Sequence, residues 1–85
     1  MSDEEDAPTA VDVLEHVVRS LVDEPDGVEV EVADGRRGLE LRVSVAPGDM
    51  GRVIGRRGRN ANAIRTVVRA AAVNDDVEVD VDFVD

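Results

Sequence analysis

Three segments of the chain alternate apolar and polar residues with a period of two: Val28-Glu29-Val30-Glu31-Val32, Leu39-Glu40-Leu41-Arg42-Val43-Ser44-Val45 and Val77-Glu78-Val79-Asp80-Val81-Asp82-Phe83. Successive side chains of a strand point to opposite faces, so each segment predicts a strand with one aliphatic and one polar face. The fold must then contain a sheet buried on one side only, with something apolar covering that side. Two other stretches supply the cover. Ala10, Val13, Leu14, Val17, Val18 and Leu21 recur at helical spacing, and so do Ala61, Ile64, Val67, Val68 and Ala71. With 85 residues, one Phe and no Trp, Tyr or Cys, the core is single, small and aliphatic. Disulfide frameworks, thiolate nucleophiles and Cys-ligated zinc are excluded.

Boundary signals order these elements. The first eight residues carry four acids and a Pro without apolar periodicity, and read as an acidic disordered tail before a single domain over 9–85. Thr9-Ala10-Val11-Asp12 resembles a capping box and predicts a helix from Thr9 that stops near Asp23, before Pro25 and Gly27. Asp34-Gly35 predicts a tight hairpin between the first two strands, with Gly tolerating the positive φ such turns require. Asp49 suits the N-cap of a short helix over Met50 to Ile54. Gly55 suits a left-handed residue at its end, and Gly58 the N-cap of a longer helix ending by Asn74. The order is α-β-β-α-α-β, an α+β fold with helices on one face of a three-stranded sheet. No internal repeat is visible.

A net charge of -10 disfavours nucleic acid as a partner, but the charge is segregated. Residues 42–69 hold seven Arg and one acid, Asp49, while residues 70–85 hold six acids and no base. The sheet's outer face, with Glu29, Glu31, Glu40, Arg42, Ser44, Glu78, Asp80 and Asp82, is acidic and lacks the aromatic residues on which RNA-binding sheets stack bases. It reads as a solvated surface, with a carboxylate metal site as the alternative. Anions fit elsewhere. In Gly55-Arg56-Arg57-Gly58 two glycines let the backbone approach a ligand, and the helix that follows offers outward N–H groups and the positive end of its dipole. Arg52, Arg56, Arg57 and Arg59 add formal charge suited to backbone phosphates.

Enzymatic readings fail on their required parts. His16 lies on the charged face of the first helix without a nucleophile spaced to use it. No Lys is present for a Walker loop, and no GxGxxG follows a strand. Gly51-Arg52-Val53-Ile54-Gly55 has GxxxG spacing, but Arg52 lies inside it and no apolar stretch contains it. No window approaches the roughly 18 apolar residues of a membrane span, and the acidic start is unlike a signal peptide, so the cytoplasm is the expected compartment. No cofactor is expected.

The stretch from Val53 to Ile64, lying between two helices after a strand and inside the basic segment, resembles the K-homology (KH) signature. The element order is similar to the type II KH topology, and the likeness covers about residues 9–84. A lone KH domain with so little appended looks like the small bacterial KhpA family of RNA-binding proteins. The resemblance implies a groove for about four single-stranded nucleotides, with Gly55, Arg56, Arg57 and Gly58 as the backbone clamp. It implies Val53 and Ile54 as the apolar positions before the loop, and Arg59 and Asn62 as lining residues. Ala61 departs from the larger aliphatic residue common at its position.

The same resemblance implies an RNA chaperone or post-transcriptional regulator acting as a homodimer, or as a heterodimer with a larger KhpB-like KH protein. If three to four phosphates are neutralised, a single-strand slope of about -0.7 per contact predicts about a 20- to 50-fold loss of affinity between 50 and 200 mM salt. Two other readings use the same residues. In one, the fold is mainly a protein-pairing surface with minor RNA contact. In the other, the helix from Arg59 reads duplex DNA, although the short helix before it argues against a helix-turn-helix.

Overall fold

The computed structural model describes residues 7–84. The elements are α1 (Pro8–Leu21), β1 (Glu29–Asp34), β2 (Leu39–Ser44), α2 (Met50–Ile54), α3 (Arg59–Ala72) and β3 (Val79–Phe83), in the expected order. The sheet order is β1-β2-β3, with β1 antiparallel and β3 parallel to the central strand β2. The parallel pairing follows from the crossover through α2 and α3, which returns the chain to the end of the sheet where β2 began. α1 and α3 pack on each other and on the aliphatic face, burying Leu14, Val18, Leu41, Val43, Val53 and Val68 completely.

On the outer face the acids stand exposed around one base. Arg42 lies opposite Glu31 on β1 and Asp82 on β3, and its Nε donates to Glu40 at 2.9 Å. Among the described residues no group of carboxylates is arranged to hold a metal ion, and no helix is long and apolar enough to cross a membrane.

Several local expectations need correction. β1 continues through Asp34, which pairs with Leu39, so Gly35 extends the ladder and lacks positive φ. Its N–H donates to the Gly38 carbonyl at 2.7 Å, leaving Arg36 and Arg37 at the hairpin tip. β3 begins at Val79 and not at Val77, because Asp76 turns left-handed and the Val77 N–H closes the end of α3 on the Ala72 carbonyl. Val67, assigned to the buried stripe of α3, is 49% exposed, since the stripe turns through Ala61, Ile64, Val68 and Ala72.

The start of α1 is the most instructive correction. Of the residues assigned to the tail, 1–6 lie outside the described residues, while Ala7 is fully buried and Pro8 opens the helix. Proline suits that first position because its missing N–H would be unpaired there anyway. Thr9 does not cap its own helix. The carboxylate of Asp75, just beyond α3, accepts from the N–H groups of Thr9 at 3.1 Å and Ala10 at 2.9 Å.

Desolvation alone would raise the Asp75 pKa, but the backbone donors of Ala10 and Thr9 outweigh it and hold it below the ordinary carboxylate value. A depressed folded-state pKa stabilises the fold above the unfolded value, and the gain is lost as pH falls through the folded one. Asp75→Asn keeps one acceptor oxygen but sets an NH2 group against the other backbone donor, so it should cost about 1 kcal/mol near neutral pH, the scale of one lost hydrogen bond. The gap between the urea midpoints of the two proteins should narrow as pH falls below the ordinary carboxylate value. An unchanged gap at acid pH would show that the carboxylate charge is not what caps α1.

Candidate nucleic-acid interface

The short helix α2 ends because Gly55 adopts φ 75° and ψ 175°, a conformation essentially confined to glycine. Arg57 (φ 57°) and Gly58 (φ 74°) follow in the left-handed region, so three of the loop's four residues have positive φ. For Arg57 the conformation costs about 1 kcal/mol or more, and strain of this kind concentrates where chains meet ligands. No side chain caps α3, so the backbone donors of its first turn face the same space as the loop.

Arg56, Arg57 and Arg59 are exposed and make no salt bridge among the described residues. Arg52, expected to join them, is instead engaged by Asp23 at 3.1 Å and by the buried Asp49 at 3.9 Å. The Asp49 carboxylate itself does not cap α2. It turns away to accept from the N–H groups of Asp23 at 3.4 Å and Glu24 at 3.1 Å, fastening the segment after α1 to the start of α2.

The apolar positions before the loop divide in role. Val53 is fully buried, so it anchors α2 in the core and presents no surface to a ligand. Ile54 is half-buried at the loop's edge. Asn62 is exposed, and its Oδ1 accepts from Arg65 Nη1 at 3.4 Å.

Arg65 and Asn60 were missed in the sequence as site residues. Arg65 reaches from α3 to the free edge of the sheet, donating from Nε to the Val81 carbonyl at 3.3 Å with its guanidinium 5.1 Å from the Phe83 ring centroid. Asn62, Arg65 and Arg69, spaced by three and four residues, thus form one row along the side of α3 next to β3. That spacing was the available signal. Asn60 donates from Nδ2 to the Arg52 carbonyl at 3.0 Å, and a Cβ on Gly55 would come within 2.7 Å of its side chain. The bond ties the end of α2 to the beginning of α3 across the loop.

Taken together, a strained glycine-bounded loop, open helix donors and three guanidiniums without salt bridges among the described residues offer the chemistry that suits an anion. Comparison with known sequences agrees with this chemistry. The family model described as "KhpA/KhpB, KH domain" matches residues 11–83. A protein of Clostridium acetobutylicum named "RNA-binding protein KhpA" is 49% identical over 72 residues, covering 85% of this chain and 96% of that protein. One of the same name from Halalkalibacterium halodurans is 45% identical over 73 residues, covering 86% and 96%. Another from Mycobacterium bovis is 53% identical over 58 residues, covering 68% and 72%.

Proposed function

Because the chain belongs to the KhpA/KhpB KH-domain family, we propose that it binds single-stranded RNA, with the Gly55-Arg56-Arg57-Gly58 loop gripping the backbone of about four nucleotides. The observation that carries this reading is where the unpaired positive charge lies. In a chain with a net charge of -10, Arg56, Arg57 and Arg59 stay free of salt bridges among the described residues, beside uncapped helix donors. At 0.1 M salt the Debye length is about 10 Å, so a bound phosphate senses these groups far more than the acidic outer face of the sheet. The relatives are named as RNA-binding proteins and not as enzymes, in keeping with binding without catalysis.

A single small groove binds weakly, and linking two such modules raises avidity through effective concentration. We therefore place the domain in the cytoplasm, paired with a second copy or with a KhpB-like chain and serving as an RNA chaperone or post-transcriptional regulator. The family description, which names KhpA and KhpB together, is in keeping with a KhpB-like partner.

Fluorescence anisotropy with a short single-stranded RNA pool tests the loop directly. Arg56→Asp/Arg57→Asp removes two exposed charged contacts of about 1 kcal/mol each, so affinity should fall about 30-fold or more with circular dichroism unchanged. Wild-type affinity should fall about 20-fold between 50 and 200 mM salt, the value for three phosphates. Equal binding by the folded variant and the wild type would reject the loop as the clamp.

A further inference from the structure

β3 is an edge strand, so one side of its backbone has no neighbouring strand. The Glu78 carbonyl and the Val84 N–H turn toward β2, accepting from Leu39 at 2.9 Å and donating to the Val43 carbonyl at 3.0 Å. In a strand the N–H and C=O of one residue point the same way and those of the next point opposite. Val79, Val81 and Phe83 therefore present theirs to the open edge. Left to itself, Val81 would offer a donor and an acceptor side by side.

Arg65 changes that offer. Its Nε donates to the Val81 carbonyl at 3.3 Å, which takes up the acceptor. The guanidinium is held from two further sides, by Phe83, whose ring centroid lies 5.1 Å away, and by Asn62, whose Oδ1 accepts from Nη1 at 3.4 Å. The Nη2 end of the fork has no partner among the described residues. At this point the edge presents donors alone, the Val81 N–H and the remaining N–H groups of Arg65.

Arg65 stands seven residues beyond Gly58, about 10 Å along α3, and so within the stretch of about four nucleotides assigned to the loop. Bases of a single strand are read on their Watson–Crick and Hoogsteen edges. Guanine carries two neighbouring acceptors, O6 and N7, and the planar fork of an arginine matches that pair. Adenine and cytosine bring an amino group, a donor, to the same place and find the carbonyl that could accept it occupied. We propose that Arg65 is a base-reading residue which, by closing the Val81 carbonyl, gives this domain a preference for guanine at one position of the bound strand. This rests on the single-stranded RNA reading above and adds a base preference to it. The loop arginines contact phosphate and set affinity, whereas Arg65 sets which base is favoured.

The test is fluorescence anisotropy with single-stranded RNAs of about 6 nucleotides, within the range of about 4–16 that single-strand tracks span. One RNA is all adenosine, and in each of the others a single guanosine replaces one adenosine. Wild type should bind the RNA with guanosine at the read position about 10-fold more tightly than the all-adenosine RNA, within the about 5- to 150-fold of a bidentate arginine pair. At that position 7-deazaguanosine, which lacks the N7 acceptor, should lose most of the gain, and inosine, which keeps O6 and N7, should retain it. Arg65→Met opens the Val81 carbonyl and should bring the preference to parity or turn it toward adenosine. Arg65→Lys keeps the charge without the fork, so its salt slope should match wild type while its preference falls toward parity. Arg56→Asp/Arg57→Asp should bind every RNA more weakly with the preference unchanged.

A wild type that binds guanosine, 7-deazaguanosine and all-adenosine RNAs alike would overturn the role of Arg65 and leave the loop standing. So would an Arg65→Met protein that keeps the guanosine preference. Failure of the wild type to bind any of these RNAs would overturn both the loop and the base reader. Thermal melts matching wild type establish that a changed preference is not a changed fold, and the comparison of guanosine with 7-deazaguanosine decides the matter on wild type alone.

Discussion

Gly55→Ala is expected to destabilise the domain by about 2–4 kcal/mol although it adds a single methyl group. About 1–3 kcal/mol comes from forcing a non-glycine residue into φ 75°, ψ 175°. The rest comes from Asn60, whose side chain lies 2.7 Å from the new Cβ and must swing away, releasing the Arg52 carbonyl. For a domain of this size the melting temperature should fall by roughly 10–30 °C. Asn60→Ala alone, which breaks the bond without straining the backbone, should cost about 1 kcal/mol.

The two changes share one contact, so the double variant should be more stable than the sum of the single losses implies, and a thermodynamic cycle measures the shortfall. RNA affinity of Gly55→Ala, measured well below its melting point, should also fall, because the loop can no longer hold its geometry without strain. A Gly55→Ala protein that melts with the wild type would mean that the loop's backbone is not held as described.

The second large effect is expected at Asp49, whose carboxylate is 5% exposed. Asp49→Ala leaves the N–H groups of Asp23 and Glu24 without their acceptor and removes two hydrogen bonds to a charged group. At about 1.5–3 kcal/mol for each such bond, the loss should be about 3–6 kcal/mol. Natural stabilities of about 0.05–0.15 kcal/mol per residue give this chain about 4–13 kcal/mol in all, so the variant should be close to unfolding at 37 °C. Asp49→Asn keeps an acceptor oxygen and the volume, and should recover about half of the loss. Urea denaturation of the three proteins gives the comparison, and equal midpoints would exclude a fastening role.

Asp49 and Asp75 also show where sequence reading stops. The strands were legible because aliphatic and polar residues alternate one by one, and the helices because their apolar stripes repeat every three or four. Both patterns are local. The loop was legible too, since two glycines flank two arginines between helices.

The two carboxylates were misread for a common reason. Local rules gave Asp49 to its own helix and gave Thr9 the capping of α1. In the fold each carboxylate serves backbone donors far along the chain, Asp49 those of Asp23 and Glu24, and Asp75 those of Thr9 and Ala10. No spacing rule connects such partners. Arg52 was counted as free charge on the same footing, and Asp23, distant in sequence, takes it away.

The cap on α1 bears on how the protein is made. Ala10 emerges from the ribosome early, but the carboxylate it needs is 65 residues downstream, which at about 5–20 residues per second is a delay of about 3–13 s. During that time α1 is a 14-residue segment at the edge of independent helix stability, and its apolar stripe has only the β1–β2 hairpin to cover until β3 can pair with β2. The fold is therefore not complete before Asp75 and β3 have been made. A nascent chain cut short before Asp75 has both covering helices but lacks β3 and the cap on α1, so its sheet is one strand short.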